Sequence, residues 1–329
     1  ACNILNRGYF DEEALRRDPG DSRINVALAR LYLQRAMYRE AEERLLIALQ
    51  RMAGNYTRLM DAEAFYYLGV ALRAQGKDLE AGEAFQKAVW DFAWRAASWQ
   101  QLAEMEAKKG DFLRAYEFIN HSLETNALSL KALNLKSVLL RKLGKMEESG
   151  KQAQDILAGD PLDFWAANEL YLAESGSGRA EAARDVLDTL SARMRDSVQN
   201  YLELATDYSQ CGFWEEAIEV LLRLAEPRQK MASTFPLVYY YLGYFYAQEG
   251  NNDRALKYLK LAGQMPPDYC FPFRLESIDV LRWAQKTIPG DGRTPYYLGN
   301  LLFDLQPETA LAEWERARSI DGTLATVHR

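Results

Sequence analysis

Residues 62–95 read AEAFYYLGVALRAQGKDLEAGEAFQKAVWDFAWR, and two amphipathic helices parted by a glycine account for most of that stretch. Phe65, Leu68, Gly69 and Leu72 fall at i, i+3, i+4 and i+7, one face of a helix. Gly76 then ends the helix, because the residue after a helix end often turns left-handed and glycine has no Cβ to clash there. A second helix follows, with Ala81, Phe85 and Ala88 on its inner side. The stretch predicts a helix hairpin with a small residue on each inner face.

The same landmark recurs on both sides. Gly76, Gly110, Gly144, Gly178 and Gly212 are spaced by 34 residues at every step. Five residues beyond them stand Ala81, Ala115, Ser149, Ala183 and Ala217, and Ala36/Ala41 and Gly250/Ala255 repeat the pair after small adjustments. The next unit carries Trp99, Leu102, Ala103, Gly110, Ala115 and Ile119; a later one carries Tyr201, Leu204, Ala205, Tyr208, Gly212, Ala217 and Leu221. Small residues such as Gly69, Ala103, Ala205 and Gly243 let paired helices approach closely, and larger ones fill the gaps around them. One hairpin cannot bury its apolar face alone, so neighbours must stack into a continuous core.

This order of aromatic, Leu, Gly/Ala, Tyr/Leu, Gly, Ala, Phe/Leu and Ala, closed by Asp18-Pro19 and Asp160-Pro161, resembles the tetratricopeptide repeat (TPR) over nearly the whole chain. The resemblance implies an all-α fold, an α-α superhelix of antiparallel helix pairs. Three positions depart from it: Tyr171 stands where a small residue belongs, and Ser137 and Ser149 replace Ala or Gly, so those two units are expected to pack less regularly.

Seven units are expected over 22–267, starting near 22, 62, 96, 130, 164, 198 and 236. Extra residues around 52–59 and 227–234 predict longer second helices or surface loops. Residues 1–21 read as the remnant of a preceding repeat. Over 268–322 the period slips into an irregular helix at 270–288, interrupted early by Pro272, and then a shortened unit from Thr294 whose turn is Gln306-Pro307. Residues 323–329 read as the start of a further helix. Neither end resembles a polar cap, and residues 267–272 and 295–300 resemble TPR tails of large bacterial proteins that carry a β-rich domain upstream. The chain therefore reads as an array cut from a longer protein.

Composition narrows the function. A formal charge of −7 in 329 residues argues against a nucleic-acid partner, which calls for a basic stripe. No apolar run approaches the ~18 residues of a membrane span, and residues 1–10 lack a leader's basic start and apolar core. The three cysteines, Cys2, Cys211 and Cys270, and two histidines, His121 and His328, show no metal-ligand spacing. No metal or cofactor is expected. Scarce cysteine and no leader favour a reducing, cytoplasmic setting.

Catalysis is not expected. Glu12-Glu13, Glu42-Glu43, Glu147-Glu148 and Glu215-Glu216 are adjacent on helices, so they diverge where acid/base work needs convergence. Most stand where second helices begin, where the macrodipole favours negative charge. No phosphate loop, HExxH or nucleophile elbow is present. Trp90, Trp94 and Trp99 cluster at a unit boundary, where core packing between repeats is expected to account for them.

Binding is the expected activity, and the resemblance implies a concave groove lined by the first helix of each unit. In that register the groove offers Arg73, Gln100, Glu104, Lys131, Asn134, Arg141, Trp165 and Asn168, and further along Tyr240, Tyr244, Tyr296 and Asn300. Lys131, Asn134, Arg141 and Asn168 form a locally basic floor suited to a carboxylate or an acidic peptide. Tyr240 and Tyr244, at i and i+4, suit a peptide or a sugar ring. The lysine-asparagine carboxylate clamp of chaperone-binding TPR domains is not matched: its positions hold Val26/Arg30, Tyr66/Val70 and Gln100/Glu104. The expected function is a non-catalytic scaffold for a peptide or protein partner. The alternative is an accessory domain of a carbohydrate-active protein that binds a saccharide or docks its own upstream domain.

Overall fold

The structure, a computed structural model, describes residue 13 and residues 16–55, 61–228, 235–268 and 270–323. Every regular element among these residues is a helix. The expectations for residues 1–12 and 324–329, and for Cys2 and His328, lie outside the described residues, as does most of the two long junctions. The chain divides into two compact units, Ala1–Val186 and Leu187–Arg329.

In the first unit the pairs are α1 (Ser22–Gln34) with α2 (Tyr38–Asn55), α3 (Glu63–Ala74) with α4 (Asp78–Ala88), α5 (Phe92–Lys109) with α6 (Phe112–Thr125), and α7 (Leu130–Lys142) with α8 (Met146–Gly159). Helix α9 (Phe164–Gly176) follows and packs on α8, and α10 (Ala180–Met194) begins in this unit. Each second helix also packs on the next first helix, and first helices α1, α3, α5, α7 and α9 touch in succession. This succession brings one side chain from each repeat to a shared face.

The turn chemistry is uniform. Gly76, Gly110, Gly144, Gly178, Gly212 and Gly250 have φ between +74° and +88°. In each turn the next residue's N–H reaches back five residues, as Asp111 N–H does to the Glu106 carbonyl at 3.1 Å. Ala36 makes the same turn at φ +55°, and Met37 N–H reaches the Tyr32 carbonyl at 2.9 Å. Asp111 then caps the next helix by accepting from Arg114 N–H at 3.1 Å. One Gly-Asp dipeptide thus ends a helix and starts its partner.

The crossings are close because the facing residues are small. Ala41, Ala81, Ala115 and Ala217 are fully buried, and a Cβ on Gly69 would come within 2.6 Å of the Phe85 ring. Ala115→Leu is expected to overpack the α5/α6 crossing and lower stability by about 1–3 kcal/mol, measured as a shift in urea midpoint; an unchanged midpoint would contradict this register. The serine substitutions do not loosen their hairpin. Ser137 Oγ donates to the Ser149 carbonyl at 3.0 Å and Ser149 Oγ to the Ser137 carbonyl at 2.8 Å, with both residues fully buried. Hydrogen bonding replaces the bare methyl contact.

In the second unit α11 (Val198–Gln210) pairs with α12 (Trp214–Arg228), α13 (Pro236–Gln248) with α14 (Asn252–Ala262), and α16 (Arg293–Leu302) with α17 (Pro307–Ile320). Between the last two pairs stands α15 (Glu276–Thr287), which packs on the first helices α13 and α16. The helix expected over 270–288 is corrected at its start. Pro272 has no N–H to give a helix, and residues 270–274 are irregular. Of the tryptophans expected in packing between repeats, Trp94 stacks on Tyr66 of the preceding repeat at 4.9 Å, and Trp99 packs within its own pair on Phe118 at 4.9 Å and on His121 at 5.1 Å.

Candidate functional site

Arg73 leaves the last turn of α3, where a cation favours the helix dipole, and crosses to α5. Its Nη1 donates to Gln101 Oε1 and to Glu104 Oε2, both at 2.6 Å. Glu104 also accepts from Gln100 Nε2 at 3.1 Å and meets Lys131 Nζ of α7 at 3.2 Å. Only 1% of the Glu104 side chain is exposed. Burial pushes its carboxyl up, but Lys131 and Arg73, with hydrogen bonds from Arg73 and Gln100, outweigh burial and hold it at about 2. Three consecutive repeats therefore meet on one carboxylate.

One step along, Arg141 of α7 grips Glu169 of α9 in a two-pronged contact, Nε to Oε2 at 2.8 Å and Nη2 to Oε1 at 3.1 Å. Glu169 is fully buried. Asn134 Nδ2 donates to Asp163 Oδ2 at 2.8 Å, while Asp163 Oδ1 caps α9 by accepting from Ala166 N–H at 2.8 Å. At the other end of the unit Lys77 pairs with Glu42 at 2.6 Å. Burial raises the Glu42 carboxyl, but hydrogen bonds from Lys77 and Gln75 bring it below its usual value. Glu42 is thus a cross-repeat acceptor, whereas Glu147, Glu148, Glu215 and Glu216 do stand in the first turns of α8 and α12.

These contacts revise the expected basic floor. Lys131, Asn134 and Arg141 do stand together on α7, but acids from the neighbouring repeats already engage them. Asn134, Trp165 and Asn168 are buried, so the expectation that they face a ligand is corrected. Lys131 keeps 38% of its side chain exposed, against 11% for Arg141. Glu169, the acid that neutralises the floor, was missed in the sequence reading; Glu104 was placed on the face but not recognised as its hub. Their signal was available: Arg73 and Glu104 lie 31 residues apart and Arg141 and Glu169 lie 28 apart, just under one repeat.

The tyrosine patch is corrected further. Tyr240 is fully buried, and its hydroxyl donates to Asp291 Oδ2 at 2.5 Å. Burial, then the Asp291 carboxylate, pushes that phenol well above its ordinary value. Tyr244 is half-buried, with its ring 5.6 Å from Trp283 of α15, and burial raises its phenol to about 12. Tyr296 is buried, and Asn300 accepts from Trp314 Nε1 at 3.1 Å. Helix α15 and the loop after it cover the rings that were expected to grip a peptide or sugar. No sequence signal foretold this, because α15 lies outside the repeat.

His121 is half exposed, with Nδ1 at 3.3 Å from Glu124. The described residues hold no cluster of three His, Cys, Asp or Glu side chains arranged for a metal. No helix among them is long and apolar enough to cross a membrane.

No family model matches the chain. Among solved structures, a tetratricopeptide repeat protein from Parabacteroides merdae aligns over 80% of this chain and 98% of its own, with a TM-score of 0.53 and 18% identity. Yeast Tom70 aligns over 86% of this chain and 58% of its own, at TM-score 0.49 and 12% identity. PilF of Pseudomonas aeruginosa aligns over 65% of this chain and 94% of its own, at TM-score 0.47 and 16% identity. The first of these, together with the repeating turn and crossing geometry, shows the fold: an all-α array of tetratricopeptide-type helix pairs.

Proposed function

We propose that this tetratricopeptide-type chain is a non-catalytic scaffold that binds a peptide segment of a protein partner along the first helices of its N-terminal unit. The observation that carries the reading is the row of cross-repeat ion pairs, Arg73–Glu104–Lys131 and Arg141–Glu169. These contacts hold long polar side chains in fixed places on one face. A surface organised before the partner arrives loses less side-chain entropy on binding. Because Glu104 and Glu169 neutralise the cations, the face selects hydrogen-bonding groups and shape more than net negative charge. Lys131 is the contact through which a partner carboxylate adds charge recognition, since it is the most exposed cation of the row.

A test starts from peptides selected on the intact chain from a random displayed library. Their affinities are then measured by fluorescence anisotropy for the native chain and for Lys131→Met. The variant is expected to bind at least ~10-fold more weakly, the size of a modest hot spot of about 1.4 kcal/mol. Raising salt should reduce native binding without abolishing it. Failure of any peptide to enrich, or equal binding by the variant, would sink the proposal. The saccharide alternative loses its anchor, because Tyr240 is buried and Tyr244 lies beneath Trp283.

A further inference from the structure

Between α14 and α15 the irregular residues 270–273 alternate in burial. Cys270 and Pro272 are buried, while Phe271 and Phe273 are 62% and 67% exposed. Two large aromatic residues exposed within three positions are not what a folding chain gains from burying apolar surface. The segment cannot rotate to hide them, because both sides are pinned. Upstream, Cys270 N–H donates to the Pro267 carbonyl at 3.4 Å, and the thiol lies buried beside Tyr297 and Leu237. Downstream, Arg274 pairs with Glu203 at 3.3 Å and Glu276 at 3.6 Å, and Ile278 and Leu281 of α15 are buried. The inward positions are filled, so the rings stay outside.

The charged groups flanking them in the chain, with the ion pairs these make, carry an excess of carboxylate. Asp268 is exposed three residues before Phe271, and Glu203 keeps 52% and Glu276 37% of their side chains exposed. One guanidinium, that of Arg274, stands among these three carboxylates. An apolar pair next to a local excess of negative charge complements a partner that offers an aliphatic side chain flanked by lysine or arginine. We infer that Phe271 and Phe273 form a docking point for a basic, amphipathic segment of another protein. This site lies in the C-terminal unit and does not depend on the peptide-binding face proposed for the N-terminal one.

The probe is a fluorescent synthetic helix built from Leu-Lys-Lys-Leu repeats. Its controls are a twin with Glu for Lys and an all-lysine peptide of equal length. Anisotropy is measured on the full chain, on Phe271→Ser/Phe273→Ser and on Asp268→Lys, with circular dichroism checking that each variant folds. The Leu/Lys peptide is expected to bind the native chain and to weaken at least ~10-fold in both variants, while the glutamate twin and the all-lysine peptide bind poorly. Lys131→Met should leave this binding unchanged, which separates it from the groove. Several results would overturn the inference: no binding of the Leu/Lys peptide, equal binding by the phenylalanine variant or by Asp268→Lys, or equal binding of either control peptide. So would a dimer that the phenylalanine variant abolishes while the peptide fails to bind, since that assigns the rings to a second copy.

Discussion

Arg141→Met is expected to lower the free energy of unfolding by about 3–5 kcal/mol at neutral pH, because it takes a two-pronged guanidinium contact from a fully buried carboxylate. Glu169 has no exposed surface, and both its oxygens accept from the guanidinium. The methionine fills similar space, so the loss reads the charge and not a cavity. Adding Glu169→Leu should recover much of the deficit, since removing both partners leaves no uncompensated charge. Urea titrations of the two single variants and the double variant form the cycle that isolates the pair. A loss below about 1 kcal/mol in Arg141→Met would place the pair among weak surface contacts and contradict its burial.

The second large effect concerns acid. The Glu104 carboxyl is held at about 2 against an ordinary 4.5. That difference corresponds to roughly 3 kcal/mol of stability. A folded value below the unfolded one means the contribution is complete above the unfolded value near 4.5. It then drains away as pH falls towards 2. Chemical unfolding of the native chain and of Glu104→Gln at a series of pH values tests this. The gap between them should be about 3 kcal/mol near pH 7 and close to nothing near pH 2. A gap that stays constant through this range would show that the carboxylate is not held by Lys131 and Arg73 as described.

The fold was legible because its constraints act on residue type at each position. A left-handed turn favours glycine, and a close crossing needs a small side chain, so both leave a mark every 34 residues. The binding face was legible only as a face. Lys131, Asn134 and Arg141 do share one first helix, α7, yet their partners Glu104, Asp163 and Glu169 come from the neighbouring repeats. A pattern read within one repeat does not register pairs formed between repeats. Tyr240 and Tyr244 failed for a different reason. Their cover, α15 with Asp291, is an insertion into the rhythm, and its position follows from tertiary packing of Ile278, Val280, Leu281 and Ala284, which are buried. The serine pair illustrates a third limit: hydroxyls that look like blemishes in an alanine position can satisfy one another.

That pair also bears on how the chain finds its own pairing during folding. Ala41, Ala81, Ala115, Ala183, Ala217 and Ala255 make six second helices nearly interchangeable at their crossing point, which invites partners to be exchanged between repeats or between molecules. Helix α8 carries a different key. Set against a foreign first helix, Ser149 would lose the Ser137 hydroxyl, which donates to its carbonyl at 3.0 Å, a bond worth about 1 kcal/mol. The two serines thus mark this one pairing in mid-array, where the other hairpins carry only a methyl group at that position.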